Sequence, residues 1–200
     1  MCSRFELITT PKAIKLRFGF SVNKTAFKKT ELRPSDQVLL ITSQGPQIMR
    51  WGLMINWSAK LLINARSETL GQKKTFRSLL KNRCLIPASA YFEWQKNGKV
   101  KIKNRIAHSD KNTHDHLFAF AGLYDEKRFA IITCQPSQSI SHIHDRMPVV
   151  VDKDSESLWI NPRNSFDTAS KILIPFQAGK LKAEESVSEA NPEKDLFSLR

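Results

Sequence analysis

No apolar run in the 200 residues is long enough to span a bilayer, and the first residues lack the charged-then-apolar layout of a signal peptide. Neither spanning nor secretion is expected, which leaves the cytoplasm as the expected compartment. Cysteine is scarce: Cys2, Cys84 and Cys134 are an odd count with no Cys-x-x-Cys pair, which excludes a disulfide framework or a zinc knuckle. His108, His114, His116 and His142 match no closed zinc spacing with those cysteines, so neither a metal nor a cofactor is expected. Acidic residues are also few, 19 against 32 lysines and arginines, for a net charge of +13. Such a field draws in polyanions, and nucleic acid is the first candidate partner.

What is present can build a core, since 40% of the residues are hydrophobic. The length fits one domain, no internal repeat or linker interrupts it, and a monomer is the default expectation. Short apolar runs separated by turn residues point to strands over 38–42, 48–53, 61–65, 84–86, 90–94, 99–103, 117–123 and 129–134, with a further one at 149–151. Gln95-Lys96-Asn97-Gly98 contains the Asn-Gly pair of a tight hairpin and predicts antiparallel pairing there. Helices are expected over 68–80, 155–159 and 166–172. Residues 108–116 read as a surface loop, and about the last ten residues as loosely held. Trp51, Cys84 and Cys134 read as core.

Cys2 is the position with unusual chemistry. A small residue after the initiator Met permits removal of that Met, leaving a free α-amine and a thiol on adjacent carbons. Their reference pKa values, about 7.7–8.0 and about 8.5, leave a useful fraction of each nucleophilic at neutral pH. An aldehyde is the natural target: the amine forms a Schiff base, the thiol adds to the same carbon, and a five-membered thiazolidine closes.

Several segments extend this reading. Met1-Cys2-Ser3-Arg4-Phe5, Trp51-Gly52-Leu53, Ile63-Asn64-Ala65-Arg66-Ser67-Glu68-Thr69, Arg83-Cys84-Leu85-Ile86-Pro87 with Ala90-Tyr91-Phe92-Glu93-Trp94, and Ile143-His144-Asp145-Arg146-Met147-Pro148-Val149 occur in this order. Together they resemble the SOS-response-associated peptidase (SRAP) family, the abasic-site processing proteins. The resemblance runs from residue 2 to about 151, with a fainter echo at Val187-Ser188 and Asn191. It implies a single α+β domain over 1–200, built on a strongly bent, mainly antiparallel, barrel-like sheet flanked by a few helices. It also implies capture of an abasic site in single-stranded DNA through Cys2 as a thiazolidine DNA–protein crosslink. Self-processing peptidase activity at Met1 and strand cleavage by β-elimination are the side activities to expect.

By position in those motifs, Cys2, Asn64, Glu93 and His144 are the catalytic candidates. The sugar ring must open, and His144 can deliver a proton to the departing ring oxygen. The α-amine must lose a proton, which suits a partly buried carboxylate such as Glu93. Asn64 carries donor and acceptor without titrating, so it can orient the linkage. The resemblance points to Arg4, Arg66 and Arg146 for phosphates, Thr133 for a hydroxyl contact and Trp57 for stacking on a kinked single strand. Three departures from the family pattern stand out: Ser3 replaces a glycine, Ser58 a second aromatic after Trp57, and Glu31 an asparagine. Two other functions remain open at this stage: a cysteine peptidase using Cys2, His144 and Asn64, and a non-catalytic basic module that binds intact and abasic strands alike.

Overall fold

Alternating β-branched and aromatic positions make strands the dominant regular element among the described residues. The computed structural model describes residues 2–23, 31–55, 58–109 and 117–186. A first sheet is built from β1 (Arg4–Glu6) and β2 (Glu31–Leu32). A second takes in β3 (Gln37–Thr42) and β4 (Gly45–Trp51), while β5 (Leu53–Ile55) and β6 (Ser58–Leu62) form a small ribbon beside it. The second sheet continues with β7 (Asn64–Arg66) and β8 (Arg83–Ala88), and the first with β9 (Ala90–Asn97) and β10 (Val100–His108). After these, β11 (Phe118–Tyr124), β12 (Arg128–Cys134), β13 (Met147–Pro148) and β14 (Val150–Val151) complete the second sheet, and β15 (Leu181–Glu185) completes the first. The helices are short: α1 (Pro11–Phe18), α2 (Lys74–Arg77), α3 (Glu156–Ile160) and α4 (Phe166–Ala169). None among the described residues is long and apolar enough to cross a membrane.

The second sheet closes on itself. Strand β12 pairs with β4 on one side and β11 on the other, and the circuit β4, β3, β8, β11, β12 forms a five-stranded barrel. Pairing is antiparallel except where β12 meets β4 and β7, so the α+β, mainly antiparallel, barrel-like expectation holds. Closure removes the exposed strand edges that would otherwise invite aggregation. At Gly122 in β11 a Cβ would lie 2.5 Å from the Ile86 side chain and 3.0 Å from the Ala130 carbonyl, so only glycine lets the neighbouring strands approach this closely.

The first sheet, ordered β15, β10, β9, β1, β2, presents two unlike faces. Register sets Phe5 opposite Tyr91, and Tyr91 opposite Ile106, in an inner row that is fully buried. The next inner row pairs Glu93 with Asn104. The row between them carries Arg4, Phe92 and Arg105 on the outer face, and the row beyond Glu93 carries Trp94 and Lys103 there. Rings lock the sheet to the barrel: Phe5 lies 5.2 Å from Trp51 and 5.7 Å from Phe120, Tyr91 lies 5.9 Å from Phe120, and Trp51 stacks on Phe129 at 6.3 Å.

Several sequence expectations are corrected. The helix over 68–80 is a 3₁₀ turn at Ser67–Thr69 and the four-residue α2, although Leu70 and Phe76 are buried as expected. The strand over 48–53 breaks at Gly52, whose φ of +114° ends β4, and the strand over 61–65 breaks at Ile63. The loop expected to begin at 108 starts after β10, which extends through His108, while the rest of that loop and the last ten residues lie outside the described residues. Helix α1 was not foreseen. It has a Thr10 cap accepting from the Ala13 amide at 3.1 Å, Pro11 in its first turn and Gly19 in the left-handed region after it, but buries only Ile14.

Arg83 ties the barrel to the segment after α3. It is almost fully buried, and its guanidinium donates to the carbonyls of Leu80, Trp159, Asn161 and Asn164 at 2.6–3.0 Å. Of the four, the Asn161 carbonyl also accepts from the Asn164 amide at 3.2 Å. Arg83→Met is expected to lower stability by roughly 3 kcal/mol, since it strands buried acceptors. Urea unfolding followed by tryptophan fluorescence measures this, and an unchanged midpoint would show that the network is dispensable.

Candidate active site

Four side chains from four different elements meet where the first sheet leans on the barrel. Cys2 precedes β1, Asn64 opens β7, Glu93 sits mid-way along β9, and His144 lies in the connection from β12 to β13. The Asn64 amide nitrogen donates to the Cys2 carbonyl at 2.7 Å. Its side-chain oxygen is buried and has no hydrogen-bond partner among the described residues. Asn64 therefore holds the start of the chain by one atom and offers an acceptor with the other.

Glu93 is 2% exposed. Burial pushes its carboxyl up to about 7, and the nearby Asp145 carboxylate adds to the rise. Burial likewise pushes the Cys2 thiol far above its ordinary range, with the Glu93 charge reinforcing the effect. An activated peptidase nucleophile has the reverse arrangement, a thiol lowered by neighbouring positive charge. The Tyr91 hydroxyl, on the same strand face as Glu93, is buried without a hydrogen-bond partner among the described residues. Sequence reasoning passed over it, although a period of two from Glu93 would have placed it on this face.

His144 Nε2 stands 3.7 Å from the Glu93 carboxylate. Its Nδ1 is approached from two sides, by the Asp145 carboxylate at 2.7 Å and by the Arg146 amide at 3.1 Å. One ring nitrogen cannot serve both: carrying a proton it donates to Asp145, and without one it accepts from the amide. The shorter, charge-assisted contact to Asp145 places the proton on Nδ1 and turns the Nε2 lone pair toward Glu93. Burial holds His144 below its ordinary value, and the charge of Lys96 adds to the depression. At neutral pH the imidazole is thus neutral, and the Glu93 carboxyl is the group that carries an exchangeable proton.

Two of the three arginines around this centre, Arg4 and Arg146, are already engaged. Arg146 forks onto Glu68 at 2.6 and 2.9 Å and also donates to the Thr133 carbonyl at 2.7 Å. Thr133 is fully buried, with its hydroxyl directed at Arg146 and the Ala65 carbonyl, so in this structure it positions Arg146 and does not face outward. Arg66 is exposed at the end of β7, on the same side of that strand as Asn64. Arg4 pairs with Glu31 at 3.0 Å. Trp57 lies outside the described residues, between β5 and β6.

With this geometry in place, the chain matches the family model described as SOS response associated peptidase (SRAP) over residues 1–191. The chain belongs to the SRAP family. It is 34% identical over 219 aligned positions to abasic site processing protein YoqW of Bacillus subtilis, an alignment that covers 98% of this chain and 96% of that protein. To abasic site processing protein YedK of Escherichia coli it is 30% identical, with 70% of this chain and 67% of that one covered. A crystal structure of a Bacteroides thetaiotaomicron protein superposes with a TM-score of 0.81 at 25% identity, over 92% of this chain and 91% of that one. The SRAP-like fold expected from the sequence is therefore the observed one.

The buried carboxyl carries a pH signature. Glu93 rises from an ordinary 4.5 to about 7 on folding, so the native state holds an extra proton between those values. Native stability accordingly falls as pH rises through that window, and the full penalty of the buried carboxylate stands above about 7. Glu93→Gln is expected to be more stable than the wild type by roughly 1–3 kcal/mol at pH 8, with the gain shrinking on acidification and gone below about pH 4.5. Unfolding free energies across that range test it, and a pH-independent difference would show that the carboxylate is not buried as charge.

Proposed function

We propose that the chain captures the aldehyde of an abasic site in single-stranded DNA through Cys2, after removal of Met1, as a thiazolidine DNA–protein crosslink. The observation that carries the reading is the Asn64 contact: its donor holds the Cys2 carbonyl at 2.7 Å while its buried oxygen remains available to the α-amine of the same residue. A residue held at its backbone, beside a buried carboxyl, is arranged for chemistry at its amine. That favours amine attack first, because the thiol in the resting site is protonated.

The steps balance without a cofactor. The closed sugar opens when its ring oxygen takes a proton, the bond from that oxygen to the anomeric carbon breaks, and the anomeric hydroxyl releases its own proton to water, leaving the aldehyde. His144 receives the proton for the ring oxygen from Glu93, 3.7 Å away, and passes it on. Glu93, now ionised, accepts a proton from the Cys2 ammonium, and the free amine adds to the aldehyde carbon. Loss of water with proton return from the same pair gives the imine. The Cys2 thiol then adds across the C=N bond, its proton moves to nitrogen, and the ring closes. Arg66 and Arg146 flank this centre for phosphates of the strand, with Thr133 positioning Arg146 and Trp57 stacking a base. Without the thiol the imine can eliminate, giving strand cleavage.

A cysteine peptidase acting on other proteins fits less well, since burial raises the Cys2 thiol. Removal of Met1 by the same site remains part of the proposal. The test mixes Met-free protein with a single strand carrying one abasic site and resolves the products after denaturation. A heat-stable adduct is expected from the wild type and none from Cys2→Ala; Cys2→Ser should trap less stably and nick more. Asn64→Ala is expected to slow adduct formation by about tenfold or more through lost orientation. No adduct from Met-free wild type, or equal adduct from Cys2→Ala, overturns the proposal.

A further inference from the structure

Three cations converge on one carboxylate on the outer face of the first sheet. Glu31 Oε1 receives Arg4 at 3.0 Å and Arg33 at 3.2 Å, and its Oε2 receives Lys103 at 3.0 Å. Burial works against ionisation of Glu31, yet Lys103, Arg4 and Arg33 together hold its carboxyl below the usual range. Two positive charges remain in excess at this point. The Arg4 guanidinium also lies 5.4 Å above the Trp94 ring, and the Lys103 ammonium 4.1 Å above Phe92. A carboxylate held by two guanidinium groups and an ammonium, which the Trp94 and Phe92 rings support from beneath, sits where a phosphodiester could take the same contacts.

We infer that Arg4, Arg33 and Lys103 form a phosphate subsite for single-stranded nucleic acid, with Glu31 holding the phosphate position until an incoming strand displaces it. The inference rests on the capture reading above and extends the strand's path beyond the lesion. Strand β1 begins at Arg4, so its first residues form the boundary between the two faces. Cys2 is held by Asn64 on the inner side, while the Arg4 side chain lies on the outer side with Trp94 and Lys103. A strand whose abasic sugar enters at Cys2 needs only to turn over this short end to set its next phosphates on the cation cluster.

Glu31 is then a brake on affinity: its charge repels the phosphate for which it substitutes. Glu31→Gln is expected to bind a short intact single strand about fivefold more tightly at fixed moderate salt, because one opposing charge is removed. Lys103→Gln should bind about threefold more weakly, and when added to Glu31→Gln it should erase most of the gain. At saturating abasic strand, crosslinking by both variants should proceed at the wild-type rate, since neither residue touches Cys2, Asn64, Glu93 or His144. Anisotropy titrations and denaturing gels read the two quantities separately. Equal or weaker binding by Glu31→Gln, with crosslinking intact, overturns the subsite and leaves capture standing. Tighter binding by Glu31→Gln with no crosslinking by the wild type would sink capture and leave the subsite. If Glu31→Gln loosens the fold, Arg33→Gln decides: this mostly exposed side chain should weaken binding when removed, and unchanged binding overturns the inference.

Discussion

A carboxyl group that is 2% exposed and pushed up to about 7 governs the chemistry that surrounds it. Desolvation disfavours the ionised form, and a carboxylic acid near its midpoint at neutral pH can both give and take a proton. Glu93 could not hold this state on a loop, where water would restore its ordinary value. It lies mid-way along β9, in register with Asn104 and two residues from Tyr91, on the face that packs against the barrel. The barrel therefore supplies the low-dielectric wall as well as mechanical support. His144, neutral for the same reason, gains its directionality from the Asp145 carboxylate 2.7 Å from its Nδ1.

The four central residues are separated by up to 142 positions between Cys2 and His144, yet each is fixed by a different kind of constraint. Sheet register fixes Glu93. A parallel pairing of β7 with β12 sets Asn64 opposite Ile131 and Arg66 opposite Thr133. The Asn64 amide fixes the backbone of Cys2, and the Asp145 and Arg146 contacts fix the imidazole. Preorganisation of this kind fixes the mutual orientation of small groups before any ligand arrives.

The strand-rich core, Trp51 and the two inert cysteines were legible because apolar runs of strand length report burial whatever the topology. The helix over 68–80 was misread because Leu70, Phe76, Leu79 and Leu80 are genuinely buried or half-buried, and a folded-over turn around Gly71 can bury the same side chains as a helix. The burial of Glu93, which the structure leaves 2% exposed, was legible from its place between Phe92 and Trp94. What a partner does to a side chain was not. Net charge gives no sign that Arg83 lies in the core, that Arg146 is forked onto Glu68, or that Glu31 draws Arg4, Arg33 and Lys103 together. Cross-strand proximity created those pairings, and it exists only once the register is known.

On the proposed reading, the pairing of Arg4 with Glu31 and of Arg146 with Glu68 suits a surface that is to receive phosphates. An unpaired arginine beside a lesion pocket samples many rotamers and must be ordered by its ligand, whereas one held by a carboxylate is already presented as a planar fork. The exchange is open to an incoming ligand because the Glu68 side chain in the pair with Arg146 is 44% exposed. A phosphate that replaces the carboxylate recovers the same hydrogen bonds and also releases counterions from the strand. The acids consequently lower affinity for any single phosphate while keeping the cations in place. Under the capture proposal this balance is useful: weak contact with intact strand would let the protein leave, and bond formation at Cys2 would supply the residence that the phosphates do not.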